Sequence, residues 1–211
     1  MRQEDITPVY PKSHGWLQYK LSDKEMDYVW RCVENRGVNW KSKLAGNIHA
    51  SYLLKDRNDW FFNNTVIPLC DRYGKTFGNM GNAVPTVMNH PYQMVQWWVN
   101  YQKQGDFNPL HNHSGIYSFV IWLKIPTHWK DQEKLPIAHG VNSNEISNFV
   151  FHYVNILGRG SSYVYRMCPE VEGVMLFFPS SLSHIVYPFY NCDEDRVSVS
   201  GNIVLNTAKR M

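Results

Sequence analysis

The chain has 211 residues, 44% apolar and 18% charged, with a net charge of +3. That length suits one well-buried core and would cramp two, and the composition excludes a largely disordered chain. A charge so near balance, without a concentrated basic patch, argues against a nucleic-acid partner. The longest apolar runs, 119–123 and 174–178, are too short to span a bilayer, so no membrane partner is expected.

The first sixteen residues lack the apolar stretch of a secretion signal. Cys32, Cys70, Cys168 and Cys192 are scattered without a CxxC pair, as reduced thiols would be. A cytoplasmic location is the expectation. Ser22-Asp23-Lys24-Glu25 has the form of a capping box, followed by Met26, Val29, Trp30 and Val33 at helical spacing, with a stop at Asn35-Arg36-Gly37. A second helix is predicted between Asp59 and Tyr73, disturbed or started by Pro68. From position 92 the pattern changes to strands, predicted at 92–101, 116–125, 149–157, 162–167, 174–178, 184–187 and 196–206.

Helices followed by about seven short strands predict a mainly β domain, a helical flank packed on a two-sheet jelly roll. One domain over 1–211 is expected, with the flank at about 15–80 and the jelly-roll core at about 92–206. The long polar stretch 127–148 interrupts the strands and reads as a mobile lid or substrate-binding insertion.

Two clusters carry chemistry. In Asn108-Pro-Leu-His-Asn-His-Ser-Gly115, residues two apart on an extended backbone point to one side, so His111 and His113 can face a common metal. Nine histidines also bring some pairs together by chance, and a hydrogen-bonded structural histidine is the commoner state. Further on, the apolar strand 174–178 runs into Pro-Ser-Ser and then His184, and Arg196 follows twelve residues later. Arg196, Ser198, Ser200 and Asn202 alternate onto one strand face. On a surface sheet that face would be solvated; inside a barrel, arginine and serine would make a fork for a carboxylate.

Taken together, HNHSG, the following SFVIWLKIP, GVMLFFPSSLSH and RVSVSGNI resemble the iron(II)- and 2-oxoglutarate-dependent oxygenase superfamily. The likeness is nearest to a bacterial and phage-type, prolyl-hydroxylase-like branch with HxH where most relatives carry HxD or HxE, and it covers 96–206. It implies a double-stranded β-helix and a non-haem iron dioxygenase that decarboxylates 2-oxoglutarate to succinate while hydroxylating a substrate with O2. By resemblance His111 and His184 bind iron, and His113 stands where the usual carboxylate ligand belongs. Arg196 would pair with the distal carboxylate of 2-oxoglutarate, with Ser198 as hydroxyl helper. Asn100 and Tyr101 lie near positions where relatives place a polar co-substrate contact, and Asn202 is a weaker candidate. Phe177, Phe178, Trp98 and Trp122 could wall the cavity, core packing being the commoner role for any one of them.

The substrate implied is an unidentified peptide, amino-acid side chain or small metabolite. Two other readings stay open. A cupin-type three-histidine dioxygenase would need no Arg196 fork, and a non-catalytic jelly-roll module would give the histidines no reason to converge.

Overall fold

In the computed structural model, which describes residues 7–9, 11, 13–86 and 89–209, the capping box forms as the sequence predicts. Helix α1 (Asp23–Glu34) opens on Ser22, whose hydroxyl accepts from the Glu25 backbone, and the Glu25 carboxylate accepts from the Ser22 backbone at 2.8 Å. Glu25 is buried and also takes the hydroxyls of Tyr19, on strand β1 (Leu17–Lys20), and of Thr65, at 2.8 and 2.6 Å. One carboxylate thus ties three elements together.

Burial pushes the Glu25 pKa up, but the hydrogen bonds from Ser22, Thr65 and Tyr19 outweigh it and hold the carboxyl below its ordinary value. A carboxyl with a lower pKa folded than unfolded stabilises the fold fully above the ordinary carboxylate range, and that contribution is lost as pH falls through the folded value. Glu25→Gln is expected to destabilise by on the order of 1–3 kcal/mol at pH 7. It should also flatten the acid side of the stability profile, as thermal unfolding between pH 3 and 7 would show.

The second helix starts near the predicted place and runs farther. A π-helical segment (Phe62–Val66) leads directly into α2 (Ile67–Phe77). Pro68 has no N–H to give and its ring crowds the carbonyl four residues back, and the wider π turn just before it relieves that crowding.

All seven predicted strands form, with shifts of one to three residues at their ends. They are β3 (Tyr92–Gln102), β5 (Tyr117–Lys124), β6 (Phe149–Val154), β7 (Gly160–Tyr165), β8 (Val174–Pro179), β9 (Ser183–Val186) and β10 (Arg196–Leu205). Three more, β1, β2 (Ala50–Leu53) and β4 (Asn108–His111), were not expected. Each is four residues long and is defined by its pairing more than by local pattern. Among the described residues the sheets are antiparallel, ordered β1-β8-β5-β10-β3-β2 and β4-β9-β6-β7.

Alternation along the central strands builds two cores. Trp97, Val99, Phe119, Ile121, Phe177, Val197 and Val199 pack toward α1 and α2 with Val29, Val33, Phe61 and Tyr73. Residues of the opposite parity on β5 and β8, Val120, Trp122, Leu176 and Phe178, meet Phe149 and Phe151 of the smaller sheet. β5 is therefore buried on both faces, which explains its unbroken apolar run. No helix among the described residues is long and apolar enough to cross a membrane.

Candidate functional site

Strand pairing brings the histidines together. β4 and β9 are antiparallel with His111 directly opposite His184, so one ladder position sets two imidazoles side by side. His113 lies just past the end of β4, its backbone N–H held by the Ser180 carbonyl at 2.8 Å. The turn after it needs Gly115, at φ +121°, where a Cβ would meet the Ile203 carbonyl at 2.7 Å. The ring centroids are 4.3 Å apart for His111 and His184, 5.0 Å for His111 and His113, and 5.1 Å for His113 and His184. One ligand nitrogen from each ring lies within 4.8 Å of the other two.

Local carbonyls choose the tautomer. Nδ1 of His111 is 2.7 Å from the Pro109 carbonyl, and Nδ1 of His184 is 3.0 Å from that of Leu182. A carbonyl only accepts, so each Nδ1 carries the proton and each Nε2 keeps its lone pair for a metal. Phe149 stacks on His184 at 5.4 Å and Phe178 meets its edge at 5.2 Å. Burial lowers the pKa of His111. With the added repulsion of the neighbouring imidazoles, it takes His113 down to about 4 and His184 to about 3. All three are neutral donors at physiological pH, and three neutral imidazoles suit a divalent transition metal with open positions left on it.

Arg196 lies in the same cavity. It opens β10 beside Gln102 of β3, and its face continues through Ser198, Ser200 and Asn202 along the cavity wall. The alternating polar face thus points inward. Arg196 is 2% exposed, and one of its terminal nitrogens donates to the Ser147 carbonyl and hydroxyl, both at 2.8 Å. The Phe189 ring lies 4.8 Å from the guanidinium. Its Nε–H has no acceptor, and no carboxylate pairs with it among the described residues. Burial lowers its pKa to about 9, so the group is still a cation near neutral pH. A buried cation with an unused donor fits an anionic group such as a carboxylate.

The cavity has a volume of about 370 Å³. Trp98, Trp122 and Phe178 wall it, as expected from the sequence. Phe177 does not: it alternates to the helix side and packs on Tyr117 at 4.9 Å. Asn100 lines the cavity, opposite Ser198 in register, and its Oδ1 accepts from Ser51 at 2.7 Å, which leaves its amide N–H groups to donate. Tyr101, one residue on, is a correction. It faces away, against the Tyr52 ring at 6.2 Å and the Arg36 guanidinium at 5.6 Å, because neighbouring strand residues point to opposite sides. Asn202 lines the upper wall and is held by Ser118 and Gln96.

The stretch 127–148 is also placed otherwise than expected. None of it lines the cavity. Gln132 is buried and bonded to Tyr190 in both directions, at 2.9 and 2.8 Å, and Asn148 holds the Met167 backbone at 2.8 Å. The two ends of the segment are anchored, Ser147 packing behind Arg196, while residues 139–144 between them are exposed. Its Ser147, fully buried at φ +64°, is a site residue that sequence reasoning missed, and nothing in its polar surroundings signals it. The mouth is instead bordered by Lys43 to Gly46 and Ile48 of the helical flank, where a Cβ on Gly46 would overlap the Asn108 side chain.

A family model described as "Putative 2OG-Fe(II) oxygenase" matches residues 96–202, the span from the middle of β3 to the wall beyond Arg196. Among solved structures, a prolyl-4-hydroxylase from Pseudomonas putida is similar with a TM-score of 0.51 at 13% identity, covering 92% of this chain and 94% of that one. A viral collagen prolyl hydroxylase from Paramecium bursaria Chlorella virus-1, in a 2-oxoglutarate complex, has a TM-score of 0.52 at 10% identity, covering 89% and 94%. A prolyl hydroxylase from Trichoplax adhaerens, bound to a hypoxia-inducible-factor peptide fragment, has a TM-score of 0.53 at 14% identity, covering 90% and 83%. At such identities the likeness is one of fold, the jelly roll. No match was found among curated proteins.

Proposed function

We propose a function from one premise, that the chain belongs to the 2-oxoglutarate- and iron(II)-dependent oxygenase family: it hydroxylates a C–H bond of a peptide or amino-acid side chain. The observation that carries this reading is the pairing, in one cavity, of three convergent neutral histidines with a buried arginine that has no counter-ion. His111 and His184 hold the iron through Nε2, and His113 is the third ligand. Arg196 takes the distal carboxylate of the co-substrate, using the Nε–H that now has no acceptor, and Ser198 and Asn100 stand on the same wall. When bound, iron and 2-oxoglutarate together activate O2, with loss of CO2 and formation of succinate, and supply the oxidising power for the substrate. The chain's own part is to orient both, to keep the cavity dry with Trp98, Trp122, Phe149 and Phe178, and to admit one small group of the substrate. A cavity of about 370 Å³ is at the small end for ligand sites, which fits co-substrate plus a single projecting side chain.

The test is succinate release with iron(II), 2-oxoglutarate and O2 over a panel of peptides and free amino acids, with mass change of the added compound as readout. A cupin-type enzyme would release no succinate. The neutral ligand set has a second consequence. With no carboxylate ligand the ion's charge is balanced by the co-substrate alone, so metal and 2-oxoglutarate should bind with positive coupling, about five- to a hundredfold. Anaerobic metal titrations with and without 2-oxoglutarate measure it; equal metal affinities would count against the three-histidine assignment.

A further inference from the structure

We infer that the substrate of this site is an anion: it carries a carboxylate near the C–H bond that is oxidised, either as a free acid or as an acidic residue of a peptide. The inference rests on the proposed function and deepens it.

Charge around the cavity motivates it. No Asp or Glu is found among the described residues that line it, and the side chains of fixed charge there are Arg196, deep inside, and Lys43, exposed at the mouth. The three metal ligands are neutral imidazoles. With iron(II) in place the site holds four positive charges, and the co-substrate dianion cancels two of them. The loaded cavity therefore stays cationic by about two charges, half of that beside the metal, in walls of Trp, Phe and Val that screen poorly. A neutral substrate leaves this field unused, a cationic one is repelled, and an anion is drawn to the mouth that Lys43 marks.

Hydrogen-bond donors are in surplus too. Trp98 is 3% exposed, its indole N–H has no acceptor among the described residues, and its ring lies 6.0 Å from that of His113. It sits opposite Ser200, four residues along β10 from Arg196, hence roughly 13 Å from the arginine end of the wall. A co-substrate anchored at Arg196 does not need that donor, and an oxygen of the substrate would satisfy it. Gln96, Asn112 and Ser114 add polar groups to the lining of the cavity.

The experiment uses the full chain loaded anaerobically with nickel(II) and 2-oxoglutarate, and calorimetric titration with matched acid and amide pairs. One arm compares N-acetyl amino acids with their amides. The other compares capped tripeptides that have Asp or Glu at the centre with those that have Asn or Gln. In at least one arm the acid is expected to bind about tenfold or more tighter than its amide. The preference should shrink severalfold from 0.1 to 0.5 M salt, since the Lys43 end is exposed to solvent, and Lys43→Glu should abolish most of it. The arm in which the preference is seen identifies the source of the carboxylate. Equal binding of acids and amides in both arms, no binding of any pair, or a preference untouched by Lys43→Glu overturns the inference. Failure of the chain to load nickel(II) and 2-oxoglutarate would overturn the proposed function instead, and is read before any pair is added.

Discussion

Arg196→Leu is expected to weaken 2-oxoglutarate binding about ten- to a hundredfold or more, yet to leave the co-substrate-free protein as stable as before or more so. The two halves have one cause. The guanidinium is buried against Ser147, Phe189 and, at 3.4 Å, the Tyr187 carbonyl, with no carboxylate and no acceptor for its Nε–H among the described residues. A cation kept in such a place costs free energy until an anion arrives, and an apolar side chain, though shorter, removes that cost. The Ser147 carbonyl and hydroxyl and the Tyr187 carbonyl lose a donor, a loss of about 1 kcal/mol each that the removal of the unpaired cation offsets. Thermal unfolding with added 2-oxoglutarate separates the effects. The unsubstituted protein should gain about 2.7 kcal/mol at a ligand concentration a hundred times its Kd. The variant should gain almost nothing at that concentration, starting from an equal or higher Tm. A variant with an unchanged co-substrate response would remove Arg196 from the site.

His184→Ala should have the larger effect on activity, reducing metal binding and succinate formation to background. His184 is 4% exposed, shares a ladder position with His111, and is fixed between the Leu182 carbonyl and the Phe149 ring. Its loss would leave two ligands and a hole beside Phe149 and Phe178. Because a cavity at that place also costs stability in the usual way of core truncations, His113→Asp is the companion variant. It lies outside the strands, on the loop bonded to Ser180, and restores a carboxylate to the ligand set. It should keep the metal and hold it more tightly without co-substrate, while the coupling between metal and 2-oxoglutarate falls. A His113→Asp protein whose metal affinity without co-substrate is no higher than before would mean that position 113 does not touch the ion.

Much of the site was legible because strand alternation is a local rule. Arg196, Ser198, Ser200 and Asn202 could be put on one face from spacing alone, and the structure turns that face inward. The same rule, applied one residue too generously, admitted Tyr101 beside Asn100 and Phe177 beside Phe178; in each pair only the second-named parity reaches the cavity. The capping box at Ser22 was legible for the same reason, as a contact closed within four residues. What could not be read was set by long-range pairing. β4 is a strand because β9 lies beside it, and that pairing, not the HxH spacing alone, puts His111 against His184. Ser147 meets Arg196 across forty-nine positions of sequence. The stretch 127–148 reads as a lid because it is polar, but Gln132, Asn148 and Ser147 spend their polar groups inward, on Tyr190, Met167 and Arg196, while 139–144 stay exposed and away from the cavity.

The central claim is a three-histidine iron site facing an arginine-anchored co-substrate. A crystal structure of the protein grown anaerobically with iron(II) and 2-oxoglutarate tests it most directly. The expected result is one ion at about 2.1 Å from Nε2 of each of His111, His113 and His184, the distance usual for an imidazole ligand, with the distal carboxylate of 2-oxoglutarate on the Nε edge of Arg196. An ion with water in place of His113, or a co-substrate whose carboxylate lies elsewhere than Arg196, would contradict it.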